Sequence, residues 1–276
     1  MVNIVNVGYD STNYYVIAAE RGQLLVDVGW PGTLPKLRHT LTRARQGAEG
    51  DDMPRKRSTA THGVQPPQLP EALPLALEPT TLSDNASYSG TTILDADWSG
   101  AHATDILLDQ VVCRRVRFTQ AELRLAQLTD VQLDTCDLAG TTFAKAQLRR
   151  VALVGCRLLG AALLDTRVDD MLVLRGNGEA LRCWSSTLRA VRFERCSLRA
   201  ASFVGSDLTG VVFHSCDLSG ADFRDATLRG TDLRGSTITG LQVGLRELQG
   251  AVVSPAQAVE LAQLLGLVVT PEEVGA

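Results

Sequence analysis

At 276 residues, with a formal net charge of -4 and 45% hydrophobic residues, the chain is long enough for one or two domains with a buried core. It is too weakly charged to imply an acidic or basic partner on that ground alone. Aromatic residues make up only 5%, so the core must be built from Leu, Val and Ala. No apolar run of about 18 residues marks a membrane span, and no basic-then-apolar signal opens the chain. The expected location is cytoplasmic, without membrane contact.

Residues 1–45 read as strand, turn, strand and a turn around Asp27-Val28-Gly29, then a helix begun near Pro31. This order resembles the opening of the metallo-β-lactamase fold. That family's metal chemistry needs an H-x-H-x-D-H cluster, because two metals require several converging imidazoles and carboxylates. The four histidines here, His39, His62, His102 and His214, are scattered singly. The segment therefore reads as a truncated, incomplete α/β fragment, and a metallo-hydrolase remnant is the remotest functional reading.

Residues 46–82 carry Gly, Pro and charge without periodicity and read as a partly extended linker. Met53, followed by Arg55-Lys56-Arg57, reads as an alternative start, and the basic run as solvated linker charge.

From there the pattern changes to a period of five. Counting every fifth position from Phe118 to Leu248 gives 27 sites, of which 25 are Leu, Phe, Ile or Val; Gly178 and Cys183 are the exceptions. All six phenylalanines fall on this phase, Phe193, Phe203, Phe213 and Phe223 among them. Neither the 3.6-residue period of a helix nor the alternation of a strand produces this. Two residues before the large sites stand small ones: Ala121, Ala126, Val131, Cys136, Thr141 and so on through Cys156 to Thr166, then after a gap from Val191 through Cys196 to Cys216. Small residues beside large ones are what a narrow packed interior requires. These four cysteines are spaced in multiples of 20, as expected for four pentads per coil with equivalent residues stacked. Cys113 and Cys183 lie on the large phase, so all six read as buried, reduced core residues.

This run resembles the pentapeptide-repeat family, whose pattern is A-(D/N)-L-x-x, over about 83–253. The resemblance implies an all-β solenoid, a right-handed quadrilateral β-helix of about eight coils, nearly 40 Å long at strand spacing. The first pentads are weaker, with Ala103 and Cys113 at large sites. Within 167–186 the repeat weakens again, and Gly176, Asn177 and Gly178 mark either a distorted coil or an extruded loop. In gyrase-protecting relatives an interrupting loop matters for activity, which makes this stretch a candidate site.

Beyond the repeats, Ser254-Pro255-Ala256-Gln257 has Ser at an N-cap, Pro at the first helical position and Gln three residues on. A capping helix is expected over 254–267, with Ala258, Val259, Leu261, Ala262, Leu264 and Leu265 supplying its apolar face; 254–276 form helix and tail.

No nucleophile with a nearby base, phosphate cradle or metal cluster is present, so no catalysis, metal or cofactor is expected. Some pentapeptide-repeat proteins bind DNA gyrase or topoisomerase IV as duplex mimics and protect the bacterial enzyme from quinolones or toxins; the resemblance implies a protein partner of that kind and no direct nucleic-acid binding. Mimicry needs rows of carboxylates. Over 83–250 there are 20 Asp plus Glu against 19 Lys plus Arg, and the acidic candidates are Asp207, Asp217, Asp222 and Asp232 (with Asp225), interleaved with Arg224, Arg229 and Arg234. The competing expectation is a structural or adaptor solenoid. Its contact would be an outward apolar column, Leu164, Trp184 and Val204, spaced 20 apart, with Val154 and Leu174 forming a second column. A homodimer through the C-terminal helix or this apolar stripe is the corresponding self-association.

Overall fold

A large residue every fifth position packs into one interior only if the chain turns a corner every five residues. In the computed structural model it does so, and the device is conformational. Residues 3–6, 14–19, 22–27, 63–76 and 81–270 are described, and the chain divides into two units, Met1–Thr59 and Ala60–Ala276.

In the first unit β1 (Asn3–Asn6), β2 (Tyr14–Ala19) and β3 (Gly22–Asp27) form an antiparallel sheet in that order. The helix expected from Pro31 lies outside the described residues.

The second unit is a parallel β-solenoid. Through Gly240, the residue two after each large one takes a left-handed φ, among them Gln110 (53°), Asp130 (55°), Arg150 (50°), Gly140 (67°) and Gly220 (69°). This puts a corner after each pentad. Glycine adopts the conformation without strain, whereas side-chain-bearing residues meet a steric penalty there that the repeated stacking must offset.

Four pentads make one coil, because register pairs each residue with the one 20 positions on: Leu148 with Val168, Leu163 with Cys183. The four sides are named here by their inward residues. The first carries Trp98, Phe118 and Leu138; the second Leu123, Phe143, Leu163 and Cys183; the third Leu108, Leu128 and Leu148; the fourth Cys113, Leu133 and Leu153. On the third and fourth sides together run β4 (Ser87–Leu94), β6 (Leu107–Arg114), β8 (Gln127–Asp134), β10 (Gln147–Val154), β12 (Arg167–Leu174) and β14 (Thr187–Glu194), continued by β15 (Val212–His214) in one seven-stranded sheet. The second side holds β5 (His102–Thr104), β7 (Glu122–Arg124), β9 (Thr142–Ala144), β11 (Ala162–Leu164) and β13 (Arg182–Trp184). The first side is a ladder of single bridges from Asp97–Arg117 to Asp217–Thr237.

Inside, the large-site residues from Ile93 to Ile238 are buried, and Tyr88, Val243 and Leu248 at the two ends are partly buried. Phe193 and Phe213 stack at 5.1 Å on the fourth side, Phe203 and Phe223 at 5.0 Å on the second, and the two pairs meet edge to face. At the weaker N-terminal end Trp98 supplies the bulk that Ala103 lacks, packing between Tyr88 and Phe118.

The small sites follow a hydrogen-bond rule. Their Oγ or Sγ donates to the carbonyl 23 residues earlier: Thr141 to Phe118 (2.7 Å), Ser186 to Leu163 (3.1 Å), Ser206 to Cys183 (2.6 Å), Cys156 to Leu133 (3.4 Å) and Cys216 to Phe193 (3.4 Å). Thr, Ser and Cys are therefore small donors serving one buried acceptor position, which explains how hydroxyls sit in an apolar core. All six cysteines are free and buried.

The open end is closed by α1 (Pro255–Leu264), with Ser254 as N-cap and a complete capping box with Gln257. Gln257 Nε2 also donates to the carbonyls of Leu233 (2.7 Å) and Ser236 (2.8 Å), satisfying backbone of the last coil. The helix is shorter than 254–267, and its cap differs from the expected apolar face: Gln257 and Leu261 are buried, whereas Val259 and Leu264 are exposed.

Part of the stretch read as linker belongs to the solenoid unit. Residues 63–76 form a strap along the corner between the third and fourth sides. Leu75 bridges Thr92 in parallel, Gln68 N–H donates to Asp130 (2.7 Å) and Gln65 N–H to Asp170 (3.0 Å). Gln110 Nε2 donates to the Gln68 carbonyl (3.3 Å).

Candidate protein-docking face

The second side is where the outward residues change character. Along its rows the pair flanking each inward residue runs Glu122/Arg124, Thr142/Ala144, Ala162/Leu164, Arg182/Trp184, Ser202/Val204 and Asp222/Arg224. Four uncharged or apolar rows, interrupted only by Arg182, lie between two charged ones. Strand register places Leu164 beside Trp184, and the Ser185 N–H bonds the Val204 carbonyl (3.2 Å). The structure thus brings Leu164, Trp184 and Val204 into one column. Trp184 is 42% exposed. Its Nε1 donates to Ser202 Oγ (2.8 Å) and the Arg182 guanidinium lies 5.6 Å from its ring centroid. A pinned indole with one hydrogen bond and a cation–π neighbour is a rigid apolar surface with little rotamer entropy left to lose on docking, as suits an interface anchor.

The second apolar column is different. Val154 pairs with Leu174, but Leu174 is buried and Val154 half-buried, as Leu172 and Ala152 are buried beside them. They lie on the fourth side, next to the corner at Gly155 and Arg175, and present no exposed stripe.

The structure separates the acidic candidates. Asp207 stands on the third side, Asp217 on the first, Asp222 on the second and Asp232 on the fourth, because their spacings are not multiples of 20. Each accepts the N–H two residues on: Thr209, Ser219, Arg224 and Arg234. Each carboxylate thereby closes its local turn. Asp217 is held below the ordinary carboxylate range first by the Ser219 hydroxyl, then also by Arg199; Asp222 by Arg224; Asp232 by Arg234. The first side carries an alternating ladder in which Arg117 pairs with Asp97 and Arg157 with Asp137. No row of neighbouring carboxylates forms from these residues.

Gly176, Asn177 and Gly178 belong to a coil kept in the stack, which settles that stretch against an extruded loop. Asn177 bridges Arg157 and Ser197 in register and its Oδ1 caps the Glu179 N–H (3.2 Å). A Cβ at Gly178 would come within 2.9 Å of Leu198 Cδ2, and one at Gly176 within 3.0 Å of Val173 Cγ1. This coil has Val168, Val173, Gly178 and Cys183 at its four large sites. Met171 and Leu181, unusually large for small sites, fill much of the missing volume. A cavity of about 30 Å³ remains, lined by Leu148, Leu163, Met171, Val173, Leu181 and Phe193 among others.

Cys136, Cys156, Cys196 and Cys216 are core residues tied to backbone carbonyls. Burial alone pushes the Cys183 thiol up to about 12. Thiols so shielded are poor nucleophiles. Among the described residues no group of three His, Cys, Asp or Glu side chains could hold a metal.

One site escaped sequence reading. Asp130 and Arg150, one coil apart on the strapped corner, form a two-pronged ion pair at 2.6 Å with side chains 6% and 11% exposed. Burial tends to raise the Asp130 pKa, but Arg150 and the Gln68 N–H outweigh it and the net shift is downward. The spacing of Gln110, Asp130, Arg150 and Asp170 by 20 was the available signal.

A coil of four pentads, small hydrogen-bonding sites and a cornered backbone together define a β-solenoid built for presenting its sides. Residues 126–203 match the model of the pentapeptide repeat region, and 188–240 match that of pentapeptide repeats in nine copies. Residues 126–240 are thus pentapeptide repeats by these two models, and over them the chain is similar to the pentapeptide-repeat family. Solved structures to which it is similar include trypsin-treated QnrB1, a plasmid-mediated fluoroquinolone resistance protein (20% identity over 69% of this chain and 98% of that one, TM-score 0.39). Another is HetL from the cyanobacterium Nostoc, involved in heterocyst differentiation regulation (19%, 62% and 87%, TM-score 0.28). No curated protein matches the chain.

Proposed function

We propose that this is a non-enzymatic binding protein whose second side docks a protein partner. The observation that carries this is the Leu164–Trp184–Val204 column, in which half-buried Leu164 and Val204 flank an exposed indole held by Ser202 and Arg182. An apolar surface of fixed shape between charged rows has the make-up of an interface centre with a polar rim. The six free buried thiols suit a reducing compartment such as the cytoplasm. The test is capture of partners by the full chain compared with Trp184→Ala, with Arg189→Ala on the third side as control. Loss with Trp184→Ala alone supports the reading; an unchanged set overturns it.

The finer form of this function, engagement of a type II topoisomerase as a partial duplex mimic giving quinolone or toxin resistance, draws on the family resemblance. The separation and pairing of Asp207, Asp217, Asp222 and Asp232 speak against mimicry by those carboxylates and favour an adaptor that works through its apolar side. A gyrase supercoiling assay, with and without a quinolone, decides between them: inhibition or protection supports topoisomerase engagement, and no effect leaves the adaptor.

A further inference from the structure

We propose that the partner on the second side is a second copy of this chain, docked face to face with the two solenoid axes parallel. The inference rests on the docking reading above and adds the partner and its orientation.

Symmetry and charge fix the orientation. Two identical sides can face each other about a two-fold axis lying in their interface. If that axis runs across the solenoid, along the strands, the solenoids are antiparallel and row order is reversed. Centred on Trp184, this sets Arg182 directly against its own copy. Shifted half a row one way, it sets Glu122 against Asp222 and Arg124 against Arg224; shifted the other way, it buries Arg224 against Leu164. Each of these arrangements places like charges together or strands a charge on apolar surface, which is costly at an interface.

If the axis instead runs along the solenoid, every row meets its own copy with the strand reversed, so the residue before the inward one faces the residue after it. Glu122 then faces the other copy's Arg124, Asp222 faces Arg224, and Arg182 faces Trp184, while Ser202 meets Val204. Both charged rows become complementary at once, and the cation–π pair already present within one copy is available between copies. Within one chain Arg224 is already bonded to Asp222 (2.6 Å) and Glu122 to His102 (3.2 Å), so the charges are exchanged rather than newly paired, and the apolar column supplies the net drive. From row 122 to row 222 the patch spans five strand spacings, roughly 24 Å. A strip of that length and one pentad wide is smaller than the ~800 Å² per partner of a standard interface, so the dimer forms by mass action at high protein concentration.

The test is sedimentation of the full chain over a concentration series, with thermal melts to show that each variant folds. The expected result is a reversible monomer–dimer transition, with dimer affinity lowered at least tenfold by Trp184→Ala. It should be lowered similarly by the double reversal Arg124→Glu plus Arg224→Glu. Adding Glu122→Arg and Asp222→Arg to that reversal should restore it, because complementarity across a parallel two-fold survives the swap. A spin label at Asp105→Cys should report a short pair distance, since the native thiols are buried and the labelled rows coincide; an antiparallel pair would hold them several coils apart. A chain that stays monomeric while Trp184→Ala still abolishes capture of another protein overturns the second-copy inference and leaves the docking reading standing. A long label distance overturns the parallel orientation, and an unaffected dimer in Trp184→Ala overturns the interface.

Discussion

Arg150 reaches across one coil to grip both carboxylate oxygens of Asp130 at 2.6 Å, and the backbone N–H of Gln68, from a segment 62 residues earlier, completes the carboxylate's shell at 2.7 Å. The pair joins two coils and fastens the strap to them. Removing one member leaves a buried charge uncompensated, which typically costs 3–5 kcal/mol, whereas replacing both by apolar residues is often neutral or better. Asp130→Ala should therefore destabilise the solenoid by about 3 kcal/mol in a urea titration and open residues 63–76 to protease. The double variant Asp130→Leu plus Arg150→Leu should recover most of the stability without restoring protection of the strap. Equal stability loss in single and double variants would contradict this account of the pair.

Acid should release the strap before it unfolds the coils. Against the effect of burial, Arg150 and the Gln68 N–H hold the folded Asp130 carboxyl below its ordinary carboxylate value, so its stabilising contribution is complete above that value and is lost as pH falls through the depressed one. Hydrogen exchange at the Gln68 amide, followed from pH 6 downward at matched intrinsic rates, should show protection lost below about pH 4 while the inward coils stay protected. Asp130→Asn should lack this transition.

The donor rule of the small sites makes Ser186 a sensitive position. Its Oγ donates to the Leu163 carbonyl (3.1 Å) and accepts the Thr166 N–H (3.0 Å). Ser186→Ala strands both, at a cost of about 1–3 kcal/mol in equilibrium denaturation. Ser186→Cys, which copies Cys156 and Cys196, should lose less. Equal losses would show that the donor does not matter.

Met171 is expected to be worth more than a small site usually is. It fills space left by Val168, Val173, Gly178 and Cys183, beside the existing cavity. Met171→Ala should cost about 2–5 kcal/mol by joining its volume to that cavity, whereas Ala161→Gly, where a single methyl is removed, should cost about 1 kcal/mol. The enlarged apolar cavity should also take up xenon, as dry engineered cavities do; a Met171→Ala variant of native stability would mean the coil collapses around the gap.

Much of the molecule was legible because a five-residue period leaves few alternatives. The phase of Phe193, Phe203, Phe213 and Phe223 marks the interior, and the spacing of Leu164, Trp184 and Val204 marks one outward column. Ser254 and Gln257 announce the cap. Arithmetic also separates Asp207, Asp217, Asp222 and Asp232 onto four sides, since none is 20 from another, yet as a cluster in the chain they look like one patch. Gly176 and Gly178 look like a break because composition shows the missing side chains. The volume returned by Met171 and Leu181 becomes evident only when the neighbouring coils are stacked.

The repeat thus determined by itself which residues face inward, how many make a coil and where the stack ends, because each follows from local spacing repeated many times. Tertiary structure decided the rest: that residues 63–76 lie on a corner, and that Asp130 and Arg150 are buried together there. Those outcomes depend on where an aperiodic segment comes to rest on the solenoid. That resting place is set by a few long-range hydrogen bonds, for which the sequence carries no period.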